Sequence, residues 1–269
     1  MQNQNSVFAI GRQWLTVVAV LMAIALNGLS NVYPPAGKNT GEVSNTILGG
    51  VLITPAGYAF AIWGLIYIGL IAYSIYQVLP AQRHSQAFAK VSWAVIGACV
   101  LQMIWIYLFL TFQFWLSVLF MLGIVACLAF GYVHTRTVKP TWQIRWLFQA
   151  PISVYFGWIT VASVLNVAGA LYAMNSVPEA AGTVTNTLDL SAIAVISTVV
   201  MMVISAGLAA VVALKYQDAS YPAVAVWALV GIAIRNSGLV PIAFAGIALT
   251  VGLCLIIVRV KTTRRSPEL

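Results

Sequence analysis

Charge is what this chain has least of. Asp, Glu, Lys and Arg make up 7% of its 269 residues, where a soluble domain carries roughly 25%. So few charges could not cover a water-facing surface, which excludes a soluble globular protein. Acidic residues are scarcer still, at five, and none falls deep inside an apolar run. Asp189 and Asp218 sit at the ends of predicted helices. Ion-coupled carriers usually keep carboxylates or charge pairs inside the membrane, so this scarcity counts against a secondary transporter. The two histidines, His84 and His134, fall in basic loops. Acid–base or hydrolytic chemistry therefore has no buried partner pair, and axial haem ligation would have only these solvated positions. Cys99, Cys127 and Cys254 lie inside apolar runs with no CxxC spacing; they read as small apolar residues, with no disulfide and no metal site. Asn175 and Asn186 fail the N-x-Ser/Thr pattern. No soluble platform carries a clustered basic face, so no nucleic-acid partner is expected.

What is present is apolar length. Hydrophobic residues are 62% of the chain and the mean hydropathy is +0.97. The runs are continuous and lack the alternating ~10-residue pattern of a barrel. Helices satisfy their own backbone in lipid, so the expected fold is all-α: a polytopic membrane bundle. With ~20 residues needed per span, the chain yields about eight helices, near 14–33, 57–79, 91–110, 114–133, 144–172, 190–214, 221–235 and 239–259. The seventh is short. The first run is too long for a signal-peptide core and no A-x-A-like site follows it, so it reads as a helix. Two parts are expected: a five-helix membrane domain at 1–172, and a three-helix extension with a basic tail at 173–269.

Loop charge sets the expected orientation. Arg83, His84 and Lys90, then His134, Arg136, Lys139 and Arg145, then Arg259, Lys261, Arg264 and Arg265 lie on one side of an eight-fold crossing. Lys38 and Glu42, and Glu179 and Asp189, lie on the other. Both termini are thus expected in the cytoplasm, in a membrane of the bacterial inner type. The basic tail suits anionic lipid. Arg235 dissents. It reads as a headgroup-level side chain that snorkels, or as the partner of a ligand carboxylate. The segment 34–56 is rich in Pro and Gly yet holds Ile47, Leu48, Val51, Leu52 and Ile53. It is expected either to fold back as a lid or to form a short interfacial helix. Pro151 marks a kink near the start of the fifth helix.

Three stripes combine rings with polar groups at helical spacing. They are Phe60, Trp63 and Tyr67, beside Tyr58; Gln102, Trp105 and Phe109; and Tyr155, Trp158, Ala162 and Asn166. Trp14, Trp93, Trp115, Trp142 and Trp146 lie near helix ends, as an aromatic belt would. Trp105 and Trp158 lie deeper. Facing one another, the stripes would wall a pocket for a planar apolar ligand with a few polar groups. Ordinary interhelical packing, with Gln102 and Asn166 as hydrogen-bond links, is the competing reading.

The same residues carry a family resemblance. "TPAGYAFAIWGLIY" resembles the Pro-Pro-Gly-Trp-x-Phe-x-x-x-Trp-x-x-Leu-Tyr signature of the translocator proteins, also called tryptophan-rich sensory proteins or peripheral benzodiazepine receptors. Tyr58 stands where that family often has Trp, and Phe60, Trp63 and Tyr67 match. "LQMIWIYLF" is similar to Leu-Asn-x-x-Trp-x-x-x-Phe, with Gln102 for the Asn and Trp105 matching. "YFGWITVASVLN" is similar to Tyr-x-x-Trp-x-x-x-Ala-x-x-Leu-Asn, matching at Tyr155, Trp158, Ala162, Leu165 and Asn166. The likeness covers about 14–172, and the last three helices look like an addition to a five-helix core. It implies a membrane protein that binds a hydrophobic small molecule, such as a tetrapyrrole or a sterol, as a sensor or carrier. No cofactor is required by the residues; a bound porphyrin or haem is what the resemblance implies. A porphyrin-degrading photo-oxidative enzyme and a small-molecule transporter are the alternatives. The expected partners are membrane lipid and that ligand. A homo-oligomer stays open, since the extra helices could cover the face through which shorter relatives dimerise.

Overall fold

The computed structural model describes residues 2–175 and 187–263, and those residues are helical with no strand among them. The chain is a polytopic helical membrane bundle. Its helices are α1 (Gln2–Val32), α2 (Ile62–Val78), α3 (Gln86–Leu110), α4 (Phe114–Thr135), α5 (Ala150–Asn175), α6 (Thr187–Tyr216), α7 (Ser220–Arg235) and α8 (Val240–Thr263). Seven helices among the described residues are long and apolar enough to cross a membrane; α7, with 16 residues, is the short one. The expected 173–189 loop lies largely outside the described residues, as do Arg264 and Arg265.

The helices start where local chemistry permits. A 3-10 turn at Gly57–Ala61 leads into α2, so Phe60 precedes the α-helix proper. Pro222 and Pro241 occupy the first turns of α7 and α8, where a missing N–H costs nothing. The expected kink at Pro151 takes another form. A π-turn at Arg145–Gln149 precedes α5, and Pro151 falls within the first turn of that helix. A proline cannot donate to the preceding turn and its ring crowds the carbonyl four residues back, so the wider turn absorbs the misfit.

The chain divides into two compact units that interleave along the sequence. The first takes residues 1–40 and 61–159, that is α1 to α4 and the start of α5. Here α3 packs along both α1 and α4. On α3 the residues Val91, Val95, Ala98, Gln102, Trp105 and Phe109 are all buried, a 4-3-4-3-4 stripe that keeps one face turned inward. Phe88 and Phe148 stack with centroids 4.0 Å apart, and Tyr73 lies 6.0 Å from Phe148. Leu65, Ile68 and Ile75 of α2 are exposed. In lipid that is no liability, because hydrocarbon is as apolar as the side chain, and packing fit is what selects the inward face.

The second unit takes residues 41–60 and 160–269. α8 packs on α6 and α7. Asp218, buried between α6 and α7, accepts the Ser220 N–H at 2.9 Å through Oδ1, which satisfies one of the N–H groups that the start of α7 leaves without a partner inside the helix. The segment 41–56 folds back onto this unit. It forms a π-turn at Val43–Ile47, and Val43, Leu48, Val51 and Ile53 are buried. His134, expected in a loop, belongs instead to the last turn of α4, where its Nδ1 meets the Phe130 carbonyl at 2.8 Å.

Candidate functional site

α2 presents Ile62, Ile66, Leu70, Tyr73 and Gln77 as its buried face. Trp63 and Tyr67 sit one position further round, half-buried, on the shoulder of that face. Their rings are 5.5 Å apart and tilted by 31°. Trp63 also meets Tyr155 of α5 edge-on, at 6.4 Å and 61°. Tyr155 is fully buried and its hydroxyl donates to Gln102 Oε1 on α3. Tyr67 brings its hydroxyl to the same Gln102 side chain, yet that hydroxyl is buried and makes no hydrogen bond of good geometry. On α3, Trp105 stacks with Phe109, centroids 5.3 Å apart. Seven of the expected site residues, Trp63, Tyr67, Gln102, Trp105, Phe109, Tyr155 and Trp158, thus belong to the first unit, and Trp63, Tyr67, Tyr155 and Gln102 form one cluster.

The other four belong to the second unit: Tyr58, Phe60, Ala162 and Asn166. Asn166 is buried, and Ala162 and Phe60 are half-buried. Tyr58 is 42% exposed and packs edge-on against Trp227 of α7, at 5.2 Å and 88°. The tryptophans sort by depth. Trp14, Trp93, Trp115, Trp142 and Trp146 are each at least half exposed, whereas Trp105 and Trp158 are 6% and 1% exposed.

A family model described as TSPO-like protein matches residues 13–259. The chain belongs to the TSPO-like family. Membership points to membrane ligand binding in general. The match runs past residue 172, where the resemblance read from the motifs was expected to end, and takes in α6, α7 and most of α8. Searches of the curated proteins and of the solved structures give no match.

In this TSPO-like protein, α7 has a role that composition did not suggest. Trp227, Gly231 and Arg235 recur at four-residue spacing on one face, and each engages the segment 45–59. Trp227 Nε1 donates to the Ala59 carbonyl at 2.9 Å. The Gly231 carbonyl accepts from Ala56 N–H at 3.0 Å. Gly231 is a close-approach position, because a Cβ there would lie 2.9 Å from Pro55 Cβ. Arg235 donates to Asn45 Oδ1 at 2.7 Å and to the Gly49 carbonyl at 3.4 Å. Asn236 adds a bond to the Leu52 carbonyl at 2.9 Å. Arg235, the dissenting charge, therefore clasps the loop. The spacing of Trp227, Gly231 and Arg235 was a readable signal, but its partner segment was not.

Proposed function

We propose that this TSPO-like protein binds a planar apolar small molecule, of which a tetrapyrrole such as a porphyrin is the best-fitting class, and serves as its membrane sensor or carrier. The observation that carries this reading is the cluster of Trp63, Tyr67 and Tyr155 around Gln102, with the Tyr67 hydroxyl buried and lacking a well-formed hydrogen bond. A buried polar group left in that state costs about 1–3 kcal/mol. A ligand with a polar edge and a flat apolar body answers both features: ring faces for the body, and a phenol and an amide for the edge. Trp63 is half-buried, so it is the wall that a ligand meets first.

The test is a fluorescence titration of the full-length protein in nanodiscs with protoporphyrin. Stacking between aromatic groups is worth about 0.5–1.5 kcal/mol beyond the area buried. Trp63→Leu should therefore weaken binding by roughly 3- to 10-fold. Trp93→Leu, which alters an exposed residue of α3, should leave it alone. Equal affinities for wild type and Trp63→Leu would make the stripes interhelical packing and nothing more.

A further inference from the structure

The end of the first unit that holds the start of α1 and the α2–α3 turn contains a polar assembly that the aromatic cluster does not use. Gln13 and Gln77 are each 1% exposed and exchange amide-to-backbone bonds: Gln77 Nε2 donates to the Gln13 carbonyl at 2.8 Å, and Gln13 Nε2 donates to the Gln77 carbonyl. Ser92 and Tyr73, both fully buried, extend the assembly through Gln77 Oε1. Two guanidinium groups sit on this platform. Arg12 Nη2 donates to the Arg83 carbonyl at 3.0 Å, and Arg83 Nε reaches Gln13 Oε1 at 3.4 Å. Arg12 Nε is buried with no hydrogen-bond partner.

Each guanidinium offers five N–H donors and no acceptor. The partners just named are all neutral. No Asp or Glu occurs in residues 1–40 or 61–159, so the unit supplies no counter-charge of its own. A half-buried Arg pair on a rigid platform wants an oxyanion with several acceptor oxygens, which is the chemistry of phosphate. Depth selects the source. The apolar stretch Ser6–Val32 has 27 residues, or about 40 Å at ~1.5 Å per residue, against a hydrocarbon core of ~30 Å. Arg12 lies about 9 Å along the helix from Ser6, at the edge of that core. Trp14 and Trp93, exposed beside Gln13 and Ser92, mark the same headgroup level.

We propose that the Arg12–Arg83 corner binds the phosphate of an anionic phospholipid. The site is independent of the tetrapyrrole reading. Native mass spectrometry of the delipidated full-length protein, titrated with dioleoylphosphatidylglycerol, tests it, with inorganic phosphate as the soluble arm. Loss of a charge-assisted phosphate contact should weaken the tightest lipid by roughly 10-fold or more in Arg12→Gln and in Arg83→Gln. Arg12→Lys should recover part of the loss. Lys139→Gln, which removes an exposed charge in the α4–α5 loop, should have no effect. Undiminished lipid binding in both glutamine variants overturns the proposal, and so does an equal loss in Lys139→Gln. Inorganic phosphate competing at millimolar levels overturns the lipid source and leaves a free-anion site. Should Arg12→Gln fail to fold, Arg83→Gln decides, since its side-chain bond is the long one.

Discussion

Gln102 is the residue on which the aromatic cluster turns. It accepts from the Tyr155 hydroxyl inside a region where neither group reaches water. Removing one partner strands the other, at a cost of about 1–3 kcal/mol. Tyr155→Phe and Gln102→Leu should each destabilise the protein by that amount. The double variant should cost clearly less than the sum, because neither Gln102 nor Tyr155 is then left without its partner. Thermal unfolding in detergent measures the cycle, and additive losses would mean that the bond contributes little. Trp158 marks the limit of the ligand argument. At 1% exposure its replacement by Leu opens a cavity, and losses of about 2 kcal/mol or more are expected of such changes. A binding defect in Trp158→Leu would therefore report folding as much as recognition, which is why Trp63 is the better probe. Sequence spacing grouped Trp63 with Tyr67 correctly. It could not say that both occupy the shoulder of α2 rather than its innermost face, because α2 is apolar all round and every face suits lipid.

Among the elements, the 41–56 segment and α7 behave as a matched pair. Hydrogen bonds from Trp227, Arg235 and Asn236, and one accepted by the Gly231 carbonyl, hold residues 45–59 along α7 and its C-terminal end, and Arg235 supplies two charged ones. Arg235→Ala should raise amide hydrogen exchange across 45–53 by roughly 10-fold or more, since the short charged bond to Asn45 is by itself worth about 1.5 kcal/mol and the longer one to Gly49 goes with it. Unchanged exchange would show that burial of Val43, Leu48, Val51 and Ile53 suffices. Gly50→Val is a second lever. A Cβ at position 50 would lie 2.5 Å from the Tyr172 ring, so the loop or the ring must move. If the segment gates ligand entry, this variant changes on- and off-rates for protoporphyrin; identical rates would confine the segment to a structural part. The Pro and Gly content of 34–56 announced a turn-rich segment, while its apolar residues left a folded-back lid and an interfacial helix equally open; burial of Val43, Leu48, Val51 and Ile53 shows that it folds back. The clasp was not legible, since Asn45 and Arg235 are 190 residues apart and hydrogen-bond partners at that separation leave no local pattern.

For the molecule as a whole, orientation is the sharpest expectation. α1 separates the Arg12 end of the first unit from the segment after Val32, and the basic loops cluster at the Arg12 end. In a background with Cys99, Cys127 and Cys254 replaced by Ala, His84→Cys should label only from the cytoplasmic side and Ala36→Cys only from the outside. Outside labelling of His84→Cys would reverse the topology. The sequence by itself determined that the chain is a membrane protein, that it is helical, and nearly where each helix runs, because low charge and ~20-residue apolar runs admit no other spanning structure. It also held the motifs that mark the family. Only the tertiary structure decided which polar groups meet: Gln102 with Tyr155, Gln13 with Gln77, Arg235 with Asn45, and Arg12 against the α2–α3 turn. The reason is physical. In lipid the apolar pattern no longer distinguishes inside from outside, so the inward face is set by side-chain fit and by scattered polar pairs, and those pairs join segments that the sequence keeps far apart.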